Sequence, residues 1–263
     1  MLKYPDINPT IVNLGFLEIR WYGFLYIVGF VVGYIFLKKL FTQKKVFLKK
    51  EEYENLLFQI MLGVVIGGRL GYVLFYKLSY YFYHPLHIFA VWEGGMSFHG
   101  GAVGVIIAGL IFSKKHNYNF YRLADPTMPL VAIGLGLGRI GNFINAELYG
   151  RVTNLPWGMV FPNSDGLPRH PSQLYEAFLE GFLLFFITFI ILKKINKSGI
   201  VFWSFIGFYG LFRFLVEFVR EPDEHLGFLI GFMTMGQILS SIMFIFSVIA
   251  IFLLMTKKDE NPS

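Results

Sequence analysis

The 263-residue chain contains no cysteine. That removes disulfides, a thiolate nucleophile and any cysteine-held metal or iron–sulfur site, so thiol chemistry could enter only with a substrate. Charge is also scarce, at 15% of residues against 55% hydrophobic and 19% aromatic. A soluble domain carries about 25% charged residues, and the composition points instead to an integral membrane protein. There is no HExxH, no GxSxG and no Walker loop, so hydrolytic and nucleotide-driven functions lose their usual markers. No sustained repeat or low-complexity segment is present. Residues 1–20 lack a basic n-region and a small-residue cleavage site, and the first span is expected to stay in place. The net charge of +6 comes from lysines clustered beside apolar runs, a pattern suited to anionic lipid headgroups and not to nucleic acid.

Apolar runs near the length that crosses a bilayer recur along the chain. They predict an all-α, single polytopic membrane domain over 1–263, with spans near 21–41, 55–76, 97–113, 127–145, 174–192, 200–219 and 232–256. Basic residues set the orientation. Lys38, Lys39, Lys44, Lys45, Lys49, Lys50, Lys114, Lys115, Arg122, Lys193, Lys194, Lys197, Lys257 and Lys258 fall at ends assigned to the cytoplasm; Lys3, Arg20, Lys77, Arg151, Arg169 and Arg220 fall at the opposite ends. The asymmetry alternates at every crossing, which places the N-terminus outside and the C-terminus inside. The outer loops 77–96 and 146–173 are rich in Gly and Pro and are expected to form a small head region.

The polar residues embedded in this apolar chain carry the functional signal. Residues 136–151 read GLGRIGNFINAELYGR, and GLGRIG fits the dinucleotide-binding pattern by letter. It lacks the preceding strand and lies inside a predicted span, so close helix packing explains its glycines better. Arg69, Arg139 and Arg213 each place a guanidinium in the outer half of a span, at a cost of at least about 2.5 kcal/mol near the bilayer centre unless protein, water or an anion receives it. Tyr209, Arg213, Glu217 and Arg220 follow i, i+4, i+8, i+11 spacing and share one helical face. Arg213 and Glu217 can pair at i,i+4. Arg69, Arg139, Arg213 and Arg220 still outnumber Glu147 and Glu217, and an excess of guanidinium suits a phosphodiester. His99, flanked by glycines in SFHGGAVG, is either a packing residue or a general base.

These stretches, with IRWYG (19–23), GGRLGYVLFY (67–76), GGMSFHGG (94–101), RHPSQLYEAFLEG (169–181) and YGLFRFLVEFVREPD (209–223), resemble the bacterial prolipoprotein diacylglyceryl transferases over nearly the whole chain. Ala146 departs from the pattern, where glycine is common. The resemblance implies transfer of the diacylglyceryl group of phosphatidylglycerol to the lipobox cysteine thiol of a preprolipoprotein, forming a thioether and releasing glycerol phosphate, as the first step of lipoprotein maturation. It also implies a multi-pass protein of the bacterial cytoplasmic membrane with its site toward the outer leaflet. Residues matching the family's motifs are Tyr22, His99, Arg139, Asn142, Asn145, Glu147, Gly150, Tyr209, Arg213, Glu217 and Arg220. Arg139 and Arg213 would hold the phosphate, with Arg69, Tyr22, Gly150, Tyr209 and Arg220 around the headgroup and Asn142 and Asn145 orienting it. His99, Glu147 and Glu217 are the candidate bases, which the sequence does not rank.

Two other classes compete. An anion transporter would carry polar groups through both leaflets, whereas here they gather on one side. A metal-dependent lipid-headgroup enzyme would need a carboxylate cluster in a span, and none is read from the sequence. No metal or cofactor is expected.

Overall fold

In a computed structural model, residues 2–15, 18–91, 94–221, 228–230 (backbone only) and 233–257 are described. Trp92 and Glu93 of the outer loop, Pro222 and Asp223, the start of the last expected span at Phe232, and Lys258 lie outside them. A helix occurs at each of the seven expected places: α1 Trp21–Gln43, α2 Lys50–Tyr76, α4 Phe98–His116, α5 Phe120–Ile144, α6 Ser172–Lys194, α7 Ile200–Val216 and α8 Met235–Thr256, with a short α3 Leu78–Tyr83 between α2 and α4. Five of them, α1, α2, α5, α6 and α8, are long and apolar enough to cross a membrane. The 17-residue α7 is too short for that criterion, and α4, which ends in Lys114, Lys115 and His116, does not meet it either. The sixth expected span is shortened, because α7 stops at Val216 with Glu217 as its C-cap.

The chain divides into two compact units, residues 38–124 and residues 1–37 with 125–263. In the first, α2 packs on α4 through glycines. A Cβ built on Gly67 would lie 2.3 Å from the Gly100 carbonyl, and one on Gly104 would lie 2.1 Å from the Gly63 carbonyl. Only hydrogen fits there, and the four-residue spacing repeats the contact turn by turn. Ser97 starts α4 by accepting the Gly100 N–H at 3.2 Å, and Asn117 ends it in the left-handed conformation (φ 56°).

In the second unit, α5 begins beside a buried carboxylate. Asp125 accepts the N–H groups of Gly199 at 2.7 Å and Phe202 at 2.8 Å, fixing the first turn of α7. At the other end of α5, the Tyr4 hydroxyl donates to the carbonyls of Phe143 at 2.8 Å and Ile144 at 3.0 Å. Its ring packs with Phe143, Ala146 and Phe161 in a small apolar core. Short strands complete this head: β1 Leu2–Lys3 pairs in parallel with β4 Met159–Val160, and β2 Thr10–Asn13 pairs antiparallel with β3 Glu18–Arg20. Further on, β5 Phe228–Ile230 pairs with β6 Met233–Thr234 just before α8.

Candidate active site

The site in the second unit is built where α5 crosses α6. Gly136 and Gly181 meet backbone to backbone, with a Cβ on Gly136 only 3.0 Å from Gly181 Cα. GLGRIG therefore lies within a helix and serves packing, as the apolar context suggests. One turn beyond the crossing, Arg139 Nε lies 2.7 Å from Glu176 Oε2 and its Nη2 lies 3.6 Å from Glu180 Oε2. Residues Ala177–Leu183 of α6 are wound as a π-helix, a distortion frequent at functional sites, and Glu180 sits within it.

From α7, Arg213 reaches Glu176 at 3.5 Å and Glu217 at 2.9 Å, and Arg220 Nη1 lies 3.9 Å from Glu176 Oε1. Glu176 and Glu180 are 1% and 0% exposed. No oxygen of either has an aligned hydrogen-bond donor among the described residues. Glu217 is held differently: the Thr234 hydroxyl donates to it at 3.0 Å, and a Cβ on Gly236, in the first turn of α8, would lie 2.7 Å from its carboxyl carbon. A helix N-terminus favours a carboxylate there.

The two asparagines are turned toward Glu147. Asn142 and Asn145 donate to its Oε1 at 2.8 and 3.3 Å. The turn that carries Glu147 is held by α6, where Gln173 Nε2 donates to the Glu147 carbonyl at 2.6 Å and Ser172 Oγ to the Leu148 carbonyl at 3.1 Å. Within that turn Ala146 and Leu148 adopt φ of 53° and 57°. The glycine expected at 146 thus has a reason, since the left-handed region is costly for any residue with a Cβ. Tyr22 places its ring against Gly141 and its hydroxyl 3.2 Å from that of Tyr26. Tyr209 is buried and stacks on Phe205, with Glu180, Arg139 and Arg213 among its electrostatic neighbours. Gly150 bridges to Arg220 and donates to the His170 carbonyl at 2.8 Å; a Cβ there would meet the Val219 carbonyl at 2.3 Å. Its contribution is therefore close backbone approach.

A family model described as prolipoprotein diacylglyceryl transferase matches residues 9–253, a stretch that contains every one of these side chains. The chain belongs to that family. It is 52% identical over 261 residues to the phosphatidylglycerol–prolipoprotein diacylglyceryl transferase of Geobacter sulfurreducens, covering 99% of this chain and 100% of the relative. The proteins of the same name from Vibrio atlanticus and Bordetella avium are 49% and 48% identical, the first covering 99% of this chain and 97% of its own length, the second 100% of both.

Set against this family's motifs, the structure corrects one premise of the sequence reading. Arginines do not exceed carboxylates around the site, because Glu176 and Glu180 stand among Arg139, Arg213 and Arg220 and restore the balance. For the same reason a span does carry an acidic pair. The signal was legible: two glutamates at i,i+4 within an apolar run of about 20 residues are functional candidates by default. Among the described residues no group of three or more His, Asp and Glu is arranged to hold a metal.

His99 and Arg69 belong to the other unit. His99 is the second residue of α4, exposed, with its ring edge-on to Phe98. Arg69 is 3% exposed and donates through all three nitrogens to backbone carbonyls: Nε to Ile88 at 2.9 Å, Nη2 to His87 at 2.5 Å and Nη1 to Gly94 and Gly95. Its guanidinium also lies over the Tyr81 ring. These carbonyls give Arg69 a structural role within its own unit.

Proposed function

We propose that this protein transfers the diacylglyceryl group of phosphatidylglycerol to the thiol of the lipobox cysteine in a preprolipoprotein, the first step of lipoprotein maturation. The names of its relatives, at about half identity over nearly the full chain, support the reaction. The single structural observation that supports the site is the convergence of Arg139, Arg213 and Arg220 on one buried point. In the reaction the thiol loses its proton, sulfur bonds to the glyceryl carbon, the carbon–oxygen bond to phosphate breaks, and glycerol phosphate leaves with the bonding electrons. Arg139 and Arg213 stabilise the charge that develops on the phosphate oxygen, and Arg220 adds to the same field. Tyr22, Tyr209 and Gly150 shape the surroundings of the headgroup.

The thiol proton goes to His99 or to Glu147. Glu217 is the weaker candidate, being buried and engaged by Arg213 and Thr234. Asn142 and Asn145 act through Glu147, whose carboxylate they orient. The enzyme would work in the bacterial cytoplasmic membrane, N-terminus outside, seven times across, with its site in the outer leaflet.

The test uses purified protein in detergent with phosphatidylglycerol and a lipobox peptide, following peptide mass and glycerol phosphate. A diacylglyceryl adduct on the cysteine peptide, absent with a cysteine-to-serine peptide, is the expected result. No adduct from folded protein would refute the assignment. Within this assay, R139K is expected to lose on the order of 10²-fold or more in rate, since lysine lacks the planar fork. Comparing H99A with E147Q identifies the base.

A further inference from the structure

The ion pairs of the site are organised around Glu176. Arg139 from α5, Arg213 from α7 and Arg220 beyond it lie 2.7, 3.5 and 3.9 Å from its two oxygens. Arg139, Arg213 and Arg220 against Glu176, Glu180 and Glu217 sum to no net charge when all are ionised. A phosphodiester entering this apolar surrounding would leave the group with one uncompensated negative charge, and burying such a charge is strongly unfavourable. Some carboxylate must yield. Glu217 is anchored by the Thr234 hydroxyl and the first turn of α8. Glu176 has no aligned donor, and Arg213 Nη1, which faces it, is buried and likewise without an aligned acceptor among the described residues. Its contacts are electrostatic proximity without hydrogen-bond geometry, which makes them the ones an incoming phosphate can replace.

We propose that Glu176 is the resident counter-anion of the headgroup site, holding the three guanidiniums together without substrate and ceding them to the phosphodiester, so that headgroup affinity is set by competition with this carboxylate. The inference rests on the transferase reading and adds a positioning residue to it. Glu180, 3.6 Å from Arg139, contributes to the same opposing field. Competition also assists release, because the returning carboxylate displaces the phosphate of the product.

Titration calorimetry on the full-length protein in detergent tests this, with glycerophosphoglycerol, the free headgroup diester, as the probe and inorganic phosphate as the second. E176Q is expected to bind glycerophosphoglycerol at least about tenfold more tightly than wild type, because one opposing charge at close range is gone. In the transfer assay its KM and kcat are expected to fall together as release slows. A merely structural Glu176 gives the opposite sign, with weaker binding as the arginines splay. Unchanged or weaker diester binding by folded E176Q overturns the inference, as does tightening for inorganic phosphate alone. Should E176Q not fold, E180Q and the charge-retaining E176D carry the same test, with tightening expected in E180Q and a smaller change in E176D. Wild-type transfer is measured in parallel. Its absence sinks the transferase reading, whereas transfer without tightening sinks only the role of Glu176.

Discussion

Gly136 and Gly181 stand so close at the α5–α6 crossing that a Cβ on Gly181 would lie 2.5 Å from Gly136 Cα. The obstacle is backbone, which cannot swing aside. Gly181→Ala is expected to push the helices apart at a cost of about 1–3 kcal/mol. It should also carry Glu180 away from Arg139 and lower transfer more than stability alone accounts for. Thermal unfolding and transfer rate, measured on the same preparation, check it; unchanged values for both would refute the crossing as the element that sets the pair.

Ala146 offers a gain in stability. Its φ of 53° places a Cβ in the left-handed region, which costs about 1–2 kcal/mol, offset in part by the 0.5–1 kcal/mol of extra chain entropy that glycine loses on folding. A146G is expected to raise stability by up to about 1.5 kcal/mol with transfer retained. A fall in melting temperature would show that the methyl group, packed beside Tyr4 and Phe161, matters more than the backbone.

Arg69 separates a structural from a substrate role. Removing its guanidinium takes from the carbonyls of Ile88 and Gly94 the donor it supplies and leaves that of His87 with the Ala90 N–H, and each hydrogen bond to a charged group contributes about 1.5–3 kcal/mol. R69A is expected to lower the melting temperature and to expose the chain around His87 and Ile88 to limited proteolysis. A raised KM for phosphatidylglycerol at unchanged stability would return Arg69 to the headgroup.

The head has an acid sensitivity of known sign. Burial holds the His170 imidazole below its usual range, while its Nδ1 lies 3.2 Å from the Tyr175 hydroxyl. Unfolding therefore takes up a proton, so this contribution is complete above the unfolded value of about 6.5 and declines as pH falls below it. The Asp165 carboxyl, held down by Arg169 at 2.9 Å, adds a second decline at lower pH, as it protonates. Melting temperature across pH 4–8 should fall toward acid, and H170Q should flatten the part near 6.5. An unchanged slope in H170Q would assign the effect elsewhere.

The helices were legible because apolar runs report burial in lipid regardless of neighbours, and helix ends fall within three residues of expectation except at the starts of α2 and α5, which lie five and seven residues earlier. Arg139 and Arg213 were legible for the same reason, since a guanidinium in such a run demands a partner. What stayed hidden was the partner. Glu176 and Glu180 lie 37 and 41 positions along the chain from Arg139, and nothing local to either joins them. The left-handed φ at Ala146 is visible only as a departure from family pattern, because alanine carries no turn signal of its own.

Composition alone determined that this chain belongs in a membrane, and its motifs determined the family, because both are properties of residues in order. Which guanidinium meets which carboxylate was decided by the tertiary structure. The crossing of α5 and α6 at Gly136 and Gly181 brings Arg139 to Glu176, and the end of α7 brings Arg213 and Arg220 to the same carboxylate. Electrostatic pairing acts over a few ångströms of space, and only packing converts separation along the chain into that distance.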